Sequence, residues 1–415
     1  MNKYKIIIQM QYFPKVKDIV NAHHEIIKLM YYTPLVHEVD MSLKYNSNIY
    51  LKREDQTPVR SYKIRGAYNK INSLNNSKLV CASAGNHAQG VAYSCNMLQM
   101  HCDIFMPKIT TKQKIDKVKK FGNKNVTIHL EGNNFDESFG IADKFCKDNL
   151  SVFVHPFDDP KVIEGQGTVG YELLNQKDKL DYIILPIGGG GLASGVSAYV
   201  KQINPKIKII GVEPMGAPSM TEALKQGKVI TLDKIDTFVD GASLKRVGEL
   251  NFEICKQTID QVLLIDEGHV CSKMIEMYNN NSSIIEPAGV LSLCALDIIK
   301  DQIKNKNVAC IISGGNSDVF RMTEILERSL IYEGLKHYFK IQFPQKAGTL
   351  KDFIVNMLGK DDDIIYFKYE KVINKELGPV VLGIELKNKD NIHMILKNMK
   401  DNNIIYEKLN NVNIL

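Results

Sequence analysis

Lys78-Leu79-Val80-Cys81-Ala82-Ser83-Ala84-Gly85-Asn86-His87-Ala88-Gln89-Gly90 passes from an unbroken apolar segment straight into a Ser/Gly/Asn loop. The apolar half shows no alternation, so it reads as a strand covered on both faces, and such strands belong to parallel sheets. The loop half admits two readings. Ser83 or Asn86 could simply cap the helix that starts near His87, or the same outward-pointing amides could hold a carboxylate. Gly85 permits close backbone approach. His87 taken alone reads as a helix-packing residue.

Upstream, Arg53-Glu54-Asp55-Gln56-Thr57-Pro58 leads to Ser61-Tyr62-Lys63-Ile64-Arg65-Gly66-Ala67. A lysine after a turn is ordinarily a solvated helix residue. An imine-forming lysine must be held neutral, which burial and neighbouring positive charge favour, and Arg65 lies two residues away. Downstream, the apolar run 182–187 empties into Gly188-Gly189-Gly190-Gly191, and Val308–Ile312 empties into Ser313-Gly314-Gly315-Asn316. With a helix beginning at Leu192, the tetraglycine fits a phosphate cradle. With Ala193, and with Glu213 ending the next strand, it equally fits a dinucleotide fingerprint. The local pattern leaves both open, although a nicotinamide site has no use for Lys63. Ser313 is either part of a tight strand-to-helix turn or a hydroxyl facing a ring nitrogen.

The same rhythm extends from about Asn48 to Asn316. Strands are expected at Ile49–Leu51, Leu79–Ala82, Cys102–Met106, Val126–Leu130, Val152–His155, Tyr182–Leu185, Ile207–Val212 and Val308–Ile312. Amphipathic helices such as Thr111–Phe121, Phe135–Asn149 and Leu192–Ile203 separate them. This order predicts an α/β fold whose ligands gather at the C-terminal ends of parallel strands. After about Leu330 the texture changes. Strand His337–Pro344, helix Thr349–Leu358, strands Ile364–Val372 and Val380–Leu386, helix Asn391–Lys400 and strand Ile404–Leu409 give the ferredoxin-like order βαββαβ. Tyr332–Leu335 reads as a short linker.

A chain of 415 residues exceeds the usual size of one domain. The net charge of +6, from 53 basic and 47 acidic residues, is spread along the chain without a basic face and does not argue for nucleic acid. Eight cysteines without C-x-x-C pairs read as buried free thiols, and no ligand pairs stand at zinc spacing. Lys3 and Lys5 precede Ile6-Ile7-Ile8, but polar residues interrupt that run at once. Neither a signal peptide nor a membrane span is expected, and a cytoplasmic location is the simple reading.

Taken together, S-Y-K-I-R-G-A, S-A-G-N-H-A-Q-G, the tetraglycine, E-P-A-G at Glu286–Gly289 and S-G-G-N at Ser313–Asn316 resemble the fold type II pyridoxal-phosphate enzymes, most closely the threonine deaminases. The resemblance covers nearly the whole chain. It implies a catalytic domain over 1–330, built of two parallel-sheet α/β subdomains with the smaller one (about 50–155) inserted in the larger. It also implies a single ACT-like regulatory domain over 335–415, carried by F-P-Q-K-A-G-T-L and Leu358–Ile364; Ala347 stands where such domains usually have proline.

By position, Lys63 would carry pyridoxal 5′-phosphate as an imine and Asn86 would bond the cofactor's 3′-oxygen. Amides of Gly188, Gly189, Gly190, Gly191 and Leu192 would hold the phosphate, and Ser313 would face the pyridine nitrogen. Ser83, Ala84, Gly85, Asn86 and His87 would take the substrate carboxylate. The implied reaction is β-elimination of water from L-threonine, giving 2-oxobutanoate and ammonia. L-serine is a competing substrate, isoleucine the implied inhibitor and a homotetramer the implied assembly. Two departures from related enzymes stand out. Serine racemases carry a second serine where Ala84 stands, so racemisation is not expected. Their divalent cation site uses an Asp where Ser219 stands, so no metal is expected. A catabolic serine/threonine dehydratase, a nicotinamide-dependent oxidoreductase and a non-enzymatic amino-acid sensor are the rival readings.

Overall fold

The computed structural model describes residues 12–75, 77–369 and 376–409. In chain order its strands are β1 (Leu35–His37), β2 (Asn48–Arg53), β3 (Leu79–Ala82), β4 (Cys102–Met106), β5 (Val126–Leu130), β6 (Val152–Phe153) and β7 (Tyr182–Pro186). They continue with β8 (Lys208–Pro214), β9 (Gln261–Ile265), β10 (Asn307–Ile312), β11 (Lys336–Pro344), β12 (Asp363–Tyr369), β13 (Leu377–Glu385) and β14 (Tyr406–Leu409). By contacts the chain divides into two compact units, Met1–Glu267 with Met277–Ser317, and Gly268–Glu276 with Asp318–Leu415.

The first unit holds two sheets. One has the order β1-β2-β10-β7-β8-β9 and is parallel except for β1. Ile183 and Leu185 of β7, Ile209 of β8 and Ile311 of β10 pack there against Val196 and Val200 of helix Gly191–Ile203 and against Phe252. The other sheet, β5-β4-β3-β6, is wholly parallel. Leu79, Cys81, Ile104 and Met106 bury one of its faces against Val91 and Cys95 of helix Asn86–Leu98, and Val80, Ala82 and Phe105 bury the other against Ala142 and Cys146 of helix Phe135–Asp148. Cover on both faces explains why these strands read as unbroken apolar runs. Each fully buried aliphatic side chain contributes about 1.5–3 kcal/mol.

The second unit carries an antiparallel sheet of order β12-β13-β11-β14, the ferredoxin-like arrangement. Phe339, Ile341, Phe343, Val380, Leu382 and Ile384 close one face of it with Phe353 and Met357 of helix Thr349–Met357 and Ile395 and Met399 of helix Asn391–Asp401.

Three strand expectations change. β1 is a three-residue antiparallel edge strand, too short to give a periodic signal. β9 lies at the opposite edge and is only half covered. The run expected to reach His155 stops at Phe153, because the His155 ring Nδ1 accepts the amide of Asp158 at 2.8 Å and turns the chain. The expected strand end at Val372 and the apolar run Ile6–Ile8 lie outside the described residues. All eight cysteines are free and buried. Among the described residues no helix is long and apolar enough to cross a membrane.

Candidate active site

The residues singled out from the sequence converge on one cleft of the first unit. Lys63 is the first residue of helix Lys63–Asn72. Its approach is shaped by Thr57, whose Oγ1 accepts from Ser61 N at 2.8 Å and donates to Ser61 O at 2.9 Å. Ser83, Ala84 and Gly85 form the turn after β3, and Asn86 and His87 open helix Asn86–Leu98. Gly188–Gly190 form the turn after β7, while Gly191 and Leu192 begin the next helix. Ser313 follows β10. Backbone bonds lace the parts together: Tyr62 N donates to Ser313 O at 3.1 Å and Gly315 N to Arg60 O at 3.0 Å.

The Lys63 amine donates to the carbonyl of Pro156 at 2.7 Å, and its nitrogen lies 5.4 Å from the Tyr62 ring centre and 5.9 Å from that of Phe157. Burial pulls this amine down to about 8, against the charge of Glu286, which raises it. The expected help from Arg65 is absent. Two positions on along a helix point away from each other, and the Arg65 guanidinium is bound by Glu54 and Glu172, each at 2.7 Å, in a buried cluster with Lys52 and Thr33. That cluster anchors the helix; burial alone lowers the lysine.

Phe157 links the lysine to the tetraglycine, because its ring and backbone back directly onto Gly189 and Gly191. Gly190 has φ +93°, a conformation that side chains rarely adopt. Asn251 braces the turn from below: its Nδ2 donates to Gly189 O at 2.9 Å and Phe157 O at 3.1 Å, and its Oδ1 accepts from Ser194 at 2.6 Å. Asp158 caps the helix that carries Asn251, accepting from the amides of Glu249 and Leu250 at 2.9 and 3.0 Å. Asn251 gave no sequence signal, and Asp158 could have been found as an acidic turn residue.

On the opposite wall, Ser83 Oγ accepts from Gly85 N at 3.2 Å, and the space beside Gly85 is open for 4 Å. His87 is buried; its Nε2 meets Val154 O at 2.8 Å, its Nδ1 has no partner, and burial pushes it down to about 3. Asn86 donates to Glu286, a residue quoted in a motif but given no role from sequence.

Glu213 is the residue invoked for both the dinucleotide reading and the divalent cation site. Its buried carboxylate accepts from the amides of Met220 and Thr221 at 2.6 and 2.8 Å and from Thr221 Oγ1 at 2.7 Å, at the start of helix Ser219–Gln226. Those bonds commit the carboxylate to the start of that helix. Among the described residues no group of three or more His, Cys, Asp or Glu could hold a metal.

Residues 26–314 match a family model described as pyridoxal-phosphate dependent enzyme, and residues 327–415 match the C-terminal regulatory domain of threonine dehydratase. The biosynthetic L-threonine dehydratase IlvA of Halalkalibacterium halodurans is 50% identical over 401 residues, covering 95% of this chain and 97% of that protein. The chain belongs to the threonine dehydratases. A second member, IlvA of Bacillus subtilis, is 48% identical over 401 residues, covering 95% of each chain. Among solved threonine deaminases, the processed form of isoform 2 from Solanum lycopersicum superposes with a TM-score of 0.72 at 36% identity, over 75% of this chain and 87% of that one. The T.th. enzyme gives 0.70 at 30% identity, over 74% and 99%. The family is pyridoxal-phosphate dependent, and this threonine dehydratase fits the cofactor. It offers an enclosed neutral-prone amine and a glycine turn leading to helix amides that have no partner within their own helix. It also offers open space beside Gly85.

Proposed function

We propose that this enzyme deaminates L-threonine to 2-oxobutanoate and ammonia at the Lys63 cleft, as the first step toward isoleucine in the cytoplasm. The observation that carries the assignment of residues is the half-buried Lys63 amine, drawn down to about 8, with Phe157 between it and the tetraglycine turn. Lys63 holds the cofactor covalently in the resting enzyme. As a free amine its Nζ would serve as the base for the α-proton and could return a proton to the departing hydroxyl. Bound pyridoxal phosphate supplies the electron sink for the charge left on the α-carbon. Amides of Gly188–Leu192 would hold its phosphate at a helix N-terminus, and Asn86 would donate to its phenolic oxygen. Ser313 would offer the ring nitrogen a neutral hydroxyl, which, unlike a carboxylate, would not enforce its protonation. Ser83–His87 receive the substrate carboxylate at the second helix N-terminus.

The second unit supports a regulatory reading, in which isoleucine binds there and lowers threonine turnover within a homotetramer. Borohydride reduction of the yellow protein followed by peptide mapping should label Lys63, and threonine should yield 2-oxobutanoate faster than serine yields pyruvate. A label on another lysine sinks the site assignment; a protein without visible absorbance sinks the activity.

A further inference from the structure

Glu286 precedes helix Pro287–Ile298 and is 5% exposed. Its Oε1 and Oε2 lie 2.8 and 3.0 Å from one atom, Asn86 Nδ2, and Oε2 also accepts from Asn316 N at 3.2 Å. Gly314 makes room for this, since a Cβ there would overlap Glu286 Oε1. The other end of the Asn86 amide is fixed as well: Oδ1 accepts from Asn316 Nδ2 at 2.8 Å. Asn316 Nδ2 spends its second hydrogen on Val59 O at 2.8 Å, and Asn316 Oδ1 accepts from Lys117 at 3.1 Å. Both side-chain amides are therefore oriented by their partners. Two carboxylate oxygens so close to one nitrogen can share one of its hydrogens. The second Asn86 hydrogen remains for a ligand.

We propose that Glu286 is a positioning residue: its ionised carboxylate pins Asn86 as the donor to the cofactor's phenolic oxygen, and its charge favours the cationic state of the nitrogen that Lys63 contributes. This rests on the functional reading above. The charged and titratable groups around Glu286 include Lys63, Tyr62, Asp240 and Lys114, the last two paired at 2.9 Å, and Lys117 on Asn316. Burial raises the carboxyl to about 7, while the bonds from Asn86 and Asn316 oppose the rise. Above that pH the grip is on. Below it, the protonated carboxyl accepts from Asn86 without charge assistance and turns an O–H donor toward it, so the grip weakens.

The experiment uses the full-length protein, stripped of pyridoxal phosphate and titrated with it, in wild type, Glu286→Gln, Glu286→Asp, Asn86→Ala and the double variant Asn86→Ala/Glu286→Gln. Glu286→Gln should weaken cofactor binding about tenfold, the scale of one charge-assisted bond. In the Asn86→Ala background the same change should cost less than about twofold, because the effect runs through Asn86. The pH midpoint of the visible cofactor band should move acid by about one unit in Glu286→Gln, as loss of a buried anion requires. Glu286→Asp keeps the charge but withdraws it, so the midpoint should hold while affinity falls. Equal weakening in both Asn86 backgrounds, or an unmoved midpoint in Glu286→Gln, overturns the proposal. A wild type that takes up no cofactor sinks the functional reading as well, whereas uptake with an indifferent Glu286→Gln sinks this one alone.

Discussion

A lysine acts as a nucleophile only when neutral, and Lys63 reaches that state without help from a second cation. Its amine is charged below about pH 8 and neutral above, against about 10.4 for a lysine in water. In cofactor-free protein the rate of capture of a small aldehyde should therefore rise with pH and level off just above 8. A midpoint near 10 would contradict the enclosed geometry. The strand-to-glycine junctions that carry Asn86 and the tetraglycine, and the helix start at Lys63, were legible from sequence, but each local pattern also had a purely structural or rival reading, and the roles came from the resemblance alone. Glu286 was not assigned a role, because an acid before Pro-Ala-Gly also reads as an ordinary helix start. The neutralising role expected for Arg65 failed for a different reason: proximity along the chain says nothing of which side of a helix a charge faces.

At the scale of elements, the helix that presents Lys63 is fixed by ions. Arg65 meets Glu54 before the helix and Glu172 on helix Pro160–Gln176, and Lys52 of β2 joins Glu172 at 2.5 Å, all fully or nearly buried. A buried ion network is a weak source of net stability but a costly thing to break, because the abandoned carboxylates stay in a dry site. Arg65→Met should lower unfolding free energy by about 3–5 kcal/mol, measured by urea denaturation, and should weaken cofactor retention through the displaced helix. A loss under about 1 kcal/mol would mean that Glu54 and Glu172 find water or each other's proton. The parallel strands were read nearly to the residue, since burial on both faces leaves no ambiguity of period. Strand β1, three residues long, was too short to give a pattern; β9 was missed although it is as long as the edge strand β5, which was read to the residue.

For the whole molecule, the regulatory reading predicts a separation of functions. Protein ending near Tyr332 should keep the visible cofactor band and form 2-oxobutanoate, while losing any response to isoleucine. Coupling of this kind is typically about 1–3 kcal/mol, a 5- to 150-fold change in apparent threonine affinity for the intact enzyme. Threonine saturation with and without isoleucine, on both proteins, is the measurement. An intact enzyme indifferent to isoleucine would move the reading to a catabolic role.

The division of the chain has a consequence for how such enzymes can be recombined. Gly268–Glu276 belongs with the C-terminal unit although some forty residues of the first unit follow it. Val270, Cys271 and Met274 of that piece are buried, Ser272 meets Ser329 at 3.0 Å, and His269 stacks on Tyr332. The two units are thus joined by three peptide crossings instead of one. A tail shuffled in from a relative as a simple terminal cassette would meet a foreign partner at this segment, so inheritance of the regulatory unit is constrained by nine residues encoded inside the catalytic half of the gene.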